Sequence, residues 1–440
     1  MQRILREIRP TLTLALPITI GQLSQMLMGI TDSLMIGHTG TVPLAASSFG
    51  GNIFGIFYVL GIGLMVPVSV LISHARGAGQ LHECGEYLRH GLALAVGFGL
   101  IETVALGVLA AKLSWFGQTP EVLALVNPFF LYIGASITPV LIYLALRQFA
   151  ESMGRPWVPM MIMLASVALN AGLNWIFIYG HFGAPAMGLA GAGLATLIAR
   201  VVGVLVLFEW VRRDSVLKAA LPEKWWGRLS WPKIKEMLRL GLPASGMLGF
   251  ENGAFAAAAV MMGWLSAASL AAHQIAIACV STTFMFMLGL SLASGMRISA
   301  AVGAGERDRL RPIGYGALIA AAGVATVCMM FYLFAGPLVA SWFVRDPAVI
   351  VLAAQLLVIA ALFQLVDGAQ VIVAALLRGL KDVTVPTLIT FVAYWGIAIG
   401  GGYWLGIRGG YGATAIWWSL AAGLGFAAVF LTWRFRRLTA

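Results

Sequence analysis

Charge is what this chain has least of. Only 10% of its 440 residues are Asp, Glu, Lys or Arg, against roughly 25% in ordinary soluble domains. Hydrophobic residues make up 60%, with a mean hydropathy of +0.91, far more than one globular core absorbs. That excludes a soluble enzyme or binding module, and no long polar stretch is left over to build one. Cysteine is scarce too. Cys84, Cys279 and Cys328 have neither metal-ligand spacing nor an even count, which excludes a disulfide framework and reads as small apolar filling. Neither a GxxxxGK[ST] phosphate loop nor a GxSxG nucleophile elbow occurs, so ATP-driven transport by this chain alone is not expected. The segment His82-Glu83-Cys84-Gly85-Glu86 misses the HExxH zinc pattern at its last ligand, and the six histidines are dispersed. A membrane-embedded enzyme therefore has no cluster to work with.

What is present is a succession of apolar stretches from 12–36 to 412–433, each long enough to cross a hydrocarbon layer of ~30 Å as a helix. Twelve such spans are predicted, an all-α integral membrane protein. The opening MQRILREIRP precedes a long first span without a small-residue cleavage site, so no removable signal peptide is expected. Of the 28 Lys and Arg, 24 fall at the two ends and in the even-numbered loops, Arg147 among them; Lys112, Arg345 and Arg408 lie in odd loops and Arg200 lies inside a span. The positive-inside rule then places both termini in the cytoplasm of a multi-pass protein of the cell inner membrane. It also explains the net charge of +11 without nucleic acid.

The longest polar stretch, 212–236, with Trp225, Trp226, Pro222 and Pro232, divides the chain into an N-lobe, 1–211, and a C-lobe, 237–440, of six spans each. Its tryptophans suit a segment lying on the membrane interface. Three short matches share one offset of 226 residues: Leu16-Pro17 with Leu242-Pro243, Leu44-Ala45-Ala46 with Leu270-Ala271-Ala272, and Gly77-Ala78-Gly79 with Gly303-Ala304-Gly305. Agreement of register across some sixty residues points to a duplicated six-helix unit. Because the span count is even, the repeat is parallel.

Ionisable groups inside a membrane cost ~2.5 to 3.5 kcal/mol each on insertion scales, which makes them functional candidates. Glu251 lies about fourteen residues into span seven, with no basic residue within a turn or two, and Asp367 lies midway along span ten. Burial disfavours their charged forms, so each can take a proton, a sodium ion or an organic cation. A helix-capping Glu, and an Asp hydrogen-bonded to Gln364 or Gln370, are the structural alternatives. Asp32 lies toward the end of span one. Asn170 and Asn174, four apart and so on one face of span five, offer carbonyl oxygens to sodium or hydrogen bonds to Asp32, or else hold helices together. Glu102 and Glu209 are left outside the site, Glu209 being close enough to the surface to meet Arg212 and Arg213. Arg200 has no partner that the sequence identifies. Met26 and Met28, with Met285 and Met287, offer either an adaptable drug surface or plain packing.

The segments LALPITIGQLSQMLMGITDSLMIGHTGTVPLAA at 14–46, LAAHQIAI at 270–277, RISAAVGAGE at 297–306 and FQLVDGAQVIVAALLRGLKDVTVP at 363–386 resemble the multidrug and toxic compound extrusion (MATE) family, in its NorM-like branch. The resemblance covers essentially the whole chain. It implies two six-helix lobes around a central cavity that opens alternately to either side, with export of amphipathic cations coupled to entry of sodium or protons. No other cofactor is implied, and the transporter is expected to act as a monomer among membrane lipids. The resemblance further implies that Glu251, Asp367 and Asp32 carry cation coupling, with Glu251 and Asp367 as the sodium ligands. His273 and Gln274 match a family hallmark that serves either substrate contact or internal hydrogen bonding. Some relatives carry Asp where Asn174 stands, which counts against a purely proton-driven N-lobe. The competing readings are a dedicated metabolite exporter, a passive channel, and a lipid-linked precursor flippase, which needs a cavity lined by Arg or Lys for pyrophosphate.

Overall fold

The computed structural model describes residues 2–225 and 227–440. The described residues are almost wholly helical and include no strand, as a chain in lipid must be when every backbone N–H and C=O has to be satisfied within its own segment. We number the long helices α1 Gln2–Gly37, α2 Thr41–Gly77, α3 Leu81–Ala110, α4 Pro120–Ser152, α5 Trp157–Tyr179 and α6 Leu189–Arg213 in the first repeat. In the second, they are α7 Trp231–Leu265, α8 Ala267–Gly303, α9 Arg307–Phe343, α10 Pro347–Gly379, α11 Thr384–Arg408 and α12 Gly412–Leu438. Eleven of them, among the described residues, are long and apolar enough to cross a membrane. The other, α7, has 35 residues and carries the polar pair Glu251-Asn252 at its middle. The twelve predicted spans are thus twelve long helices. Several run one to three turns beyond the apolar stretch, because hydropathy marks only the part of a helix that lies in lipid.

The repeat is visible in the helix bounds. α2 and α8 are both 37 residues long, begin at 41 and 267 and end at 77 and 303, the same 226-residue spacing as the sequence matches. Each is closed by a glycine in the left-handed region, Gly79 and Gly305, both at φ 74°, where a side chain is strained. α3 and α9 begin at 81 and 307, again 226 apart. In the first repeat α4 packs on α2, α3 and α6; in the second α10 packs on α8, α9 and α12. α4 is interrupted at Ser136, and α11 widens into π-helical turns over Val392–Ile399 and Gly402–Arg408.

The chain forms two compact units: Ile20–Ser245, and Met1–Thr19 with Gly246–Ala440. The division cuts α1 and α7 just beyond Pro17 and Pro243, at positions 226 apart. Two glycines show why. Within the first unit a Cβ on Gly63 of α2 would come to 2.3 Å from Ser245 Cα of α7; within the second, a Cβ on Gly289 of α8 would come to 2.8 Å from Thr19 Cα of α1. Glycine permits this backbone approach at both crossings, as small residues do between membrane helices. The opening half of each repeat's first helix therefore packs into the unit built mainly from the other repeat.

The stretch after α6 lies on α3 in the first unit. Asp214 caps a short helix, Ser215–Lys218. Ser230 N–H donates to His90 Nε2 at 2.8 Å, Lys233 pairs with Glu83 at 2.7 Å, and Tyr87 donates to Glu236 at 2.9 Å. Trp225 sets its ring edge-on to Phe208; Trp226 lies outside the described residues.

Candidate functional site

In the first unit α1, α2, α4, α5 and α6 enclose a cavity of about 250 Å³. α1 contributes Gln25, Met28 and Asp32, α2 Phe54 and Tyr58, α4 Tyr143 and Arg147, α5 Met163 and Ser166, and α6 Arg200. Asp32 is the carboxylate on its wall. Asn174 Nδ2 donates to Asp32 Oδ1 at 2.6 Å and Thr196 Oγ1 donates to Oδ2 at 3.4 Å. Asn170, fully buried like Asn174, supports both: it accepts from Asn174 at 3.3 Å and donates to Thr196 Oγ1 at 3.3 Å. The spacing of four between the two asparagines aims both at α1 and α6. Asp32 makes no ion pair among the described residues, although Arg200 lies within electrostatic range. Neutral donors hold this carboxylate in place and leave its charge available to a ligand.

Two arginines line the same cavity, which alters one sequence-level expectation. Arg147, assigned to a loop, belongs to α4, which continues to Ser152 because Arg147 and Glu151 neutralise each other across one helical turn. Their ion pair is 2.6 Å long, with side chains 5% and 3% exposed, and Arg147 also donates to Gln22 Oε1 at 2.9 Å. The i, i+4 spacing of opposite charges was the available signal. Gln25, hydrogen-bonded to Tyr58, Thr196, Tyr58 and Tyr143 are further site residues that sequence reasoning did not name, since uncharged polar and aromatic groups in a span do not stand out. Met28 lines the cavity, whereas Met287 is packing, its sulfur against Gly368.

In the second unit, Glu251 on α7 and Asp367 on α10 are 8% and 3% exposed and lie within electrostatic range of each other and of Tyr394 on α11. The basic group in range of Glu251 is buried Arg378. Neither carboxylate makes an ion pair or a side-chain hydrogen bond among the described residues, so the expected alternative of Asp367 bonded to Gln364 or Gln370 is not what the structure has. Gln364 donates to Thr283 instead. Its carbonyl oxygen, both amide atoms of Gln370 and the Tyr394 hydroxyl are buried without a partner. Gln364 and Gln370 stand three residues either side of Asp367, on neighbouring turns of α10. Two carboxylates bordered by unpaired oxygens form a donor set that suits a hard cation or a proton.

His273 is buried elsewhere in the same unit. Its Nδ1 accepts from Trp417 Nε1 at 3.2 Å, and the two rings meet edge to face; this is internal bonding. Gln274, next to it, is exposed. Glu209 pairs with Arg213 at 2.7 Å and Arg212 at 3.5 Å. Glu102 is buried, 3% exposed, with neither carboxyl oxygen bonded.

Twelve membrane-spanning helices in two repeats, with acids held unpaired in their interiors, define a polytopic transporter of the MATE type. The chain belongs to the MatE family, whose model matches residues 17–176 and 243–404; the two matches begin 226 residues apart. Proteins of this family are transporters rather than enzymes. The chain is 35% identical to the probable multidrug resistance protein NorM of Mesorhizobium japonicum, over 98% of this chain and 94% of that protein. It is 36% identical to the corresponding protein of Pseudomonas putida, over 98% and 96%. Among solved structures, a mutant of a Vibrio cholerae MATE transporter superposes with TM-score 0.90 at 20% identity, over 100% of this chain and 98% of the other. A eukaryotic MATE transporter gives 0.89 at 17%, over 99% and 98%. At those identities the likeness concerns the fold.

Proposed function

We propose that this protein is a secondary antiporter of the cell inner membrane, with both termini cytoplasmic, that exports amphipathic organic cations in exchange for sodium ions or protons. On this reading the lobes 1–211 and 237–440, joined by the linker 212–236, alternate access to the two sides. The organic cation binds Asp32 in the cavity of the first unit, against Phe54, Tyr58 and Tyr143. The coupling ion neutralises Glu251 and Asp367 in the second.

The observation that carries the reading is the pair Glu251–Asp367: two buried carboxylates in range of each other, free of ion pairs and bordered by unpaired oxygens. Two like charges so placed repel, and each pays for lost hydration. A sodium ion or a proton relieves both costs, and movement down its gradient supplies the work. The similarity to NorM multidrug resistance proteins supports a broad range of organic cargo.

The decisive experiment is efflux of a fluorescent organic cation from proteoliposomes under an imposed sodium gradient or an imposed proton gradient. Wild type should export under one of them, and E251Q and D367N should export under neither. If both variants match wild type, the coupling site is elsewhere; if neither gradient drives wild type, the antiport reading fails.

A further inference from the structure

A cavity meant only for cations has no use for an arginine on its wall, yet Arg200 is there. Arg147 is neutralised by Glu151, but Arg200 has no ion pair among the described residues. Asp32 lies in electrostatic range but is held by Asn174 and Thr196 instead. Of the five N–H donors of the Arg200 guanidinium, Ser136 Oγ takes one, at 2.5 Å. That leaves the others for whatever fills the cavity. The Arg200 Cζ lies over the Phe54 ring, 5.1 Å from the centroid, a contact that helps hold the group in place.

Thr196 and Arg200 are one turn apart on α6, so their Cβ atoms are ~5–6 Å apart on one face. Thr196 touches Asp32, which puts the carboxylate and the guanidinium at neighbouring positions on the same wall. With Phe54 and Tyr58 of α2 and Tyr143 of α4 also lining it, the cavity offers one fixed negative group, one fixed positive group and aromatic surface. Its volume of about 250 Å³ is below the ~300–1,000 Å³ of sites that enclose whole drug-sized ligands. It therefore takes the polar end of a larger molecule, or all of a small one.

Resting on the export reading of this cavity, we propose that Arg200 is a substrate-binding residue for carboxylates. In a ligand that carries both charges, the ammonium pairs with Asp32 and the carboxylate docks on Arg200 through the two-pronged geometry that guanidinium alone provides.

The test uses the full-length protein in detergent and two fluorescent aromatic amines that differ in one group: a free carboxylic acid and its methyl ester. Binding is read by fluorescence anisotropy. Wild type should bind the acid ~10- to 100-fold more tightly than the ester, the range for hydrogen bonds to a charged group. R200Q should bind both alike, at the ester's wild-type affinity, and R200K should restore part of the preference. Equal affinity of wild type for acid and ester overturns the proposal, as does an R200Q protein that weakens both to the same degree. If R200Q fails to elute as a folded monodisperse species, R200K carries the comparison: an acid-to-ester ratio unchanged from wild type overturns the proposal and a reduced one upholds it. These measurements need no gradient, so Arg200-dependent binding of the acid together with absent export would sink the antiport reading alone.

Discussion

The two repeats share a backbone frame and differ in the chemistry placed on it. At the 226-residue spacing that aligns α1 with α7, Gln25 answers Glu251 and Asp32 answers Ala258. The first unit holds a cavity of about 250 Å³ whose carboxylate is steadied by an amide and a hydroxyl. The second holds two acids in electrostatic range of each other, bordered by polar atoms without partners. Duplication supplies matching helices and matching crossings, while substitution at a few interior positions makes one half suited to an organic ligand and the other to a small cation. A lone steadied charge accommodates a large partner, whereas paired charges need something that fits between them.

That contrast can be broken most completely by removing charge from one side at a time. D32N should weaken binding of an organic cation by ~100-fold or more, in line with ~3–5 kcal/mol for stripping one partner from a buried ion pair. E251Q should leave binding within a few-fold of wild type while ending gradient-driven export. Titration of both variants with one fluorescent cation decides it, and similar losses in both would mean the units do not divide the work.

Next come the two crossings. G63A forces a Cβ onto backbone atoms of Ser245, whereas G289A meets the Thr19 hydroxyl first. We expect G63A to cost ~3 kcal/mol, at the upper end for overpacking, and G289A nearer ~2 kcal/mol, since its approach to backbone is less close. Thermal unfolding in detergent ranks them; equal shifts would show that both crossings relax alike. Smaller still is W417F, which removes the indole N–H from His273. The expected cost is ~1–1.5 kcal/mol, toward the lower end for an unsatisfied buried group, visible in unfolding and absent from the affinity for either ligand. The least effect is foreseen for N174A, which withdraws one of the two direct donors from Asp32. A several-fold change in cation affinity corresponds to ~1 kcal/mol, and no change in ion dependence should accompany it.

Much of this architecture was legible before any coordinates. Hydropathy marks spans because lipid tolerates little else, and the matches at Pro17 and Pro243 and at Gly79 and Gly305 reveal the duplication because bends and left-handed turns demand specific residues. Asp32, Glu251 and Asp367 stood out because an acid in a span is expensive. Arg147 did not, since it follows the last apolar residue of its stretch and its neutralising partner Glu151 made the helix longer than hydropathy indicates. The surroundings of Arg200 were equally hidden, for nothing in a linear pattern tells which groups a helix turns toward.

The sequence by itself determined the solvent of this protein, the number of its spans, its duplication and the short list of charges that matter, because each of these depends on composition or on local spacing along a helix. The tertiary structure alone decided how those charges are grouped. It set Arg200 on the same wall as Asp32, left Asp367 unbonded to the glutamines beside it, and passed the first halves of α1 and α7 into the unit of the opposite repeat. Those outcomes depend on which faces of separate helices meet, and that is settled by close packing at positions such as Gly63 and Gly289, where segments far apart in sequence approach backbone to backbone.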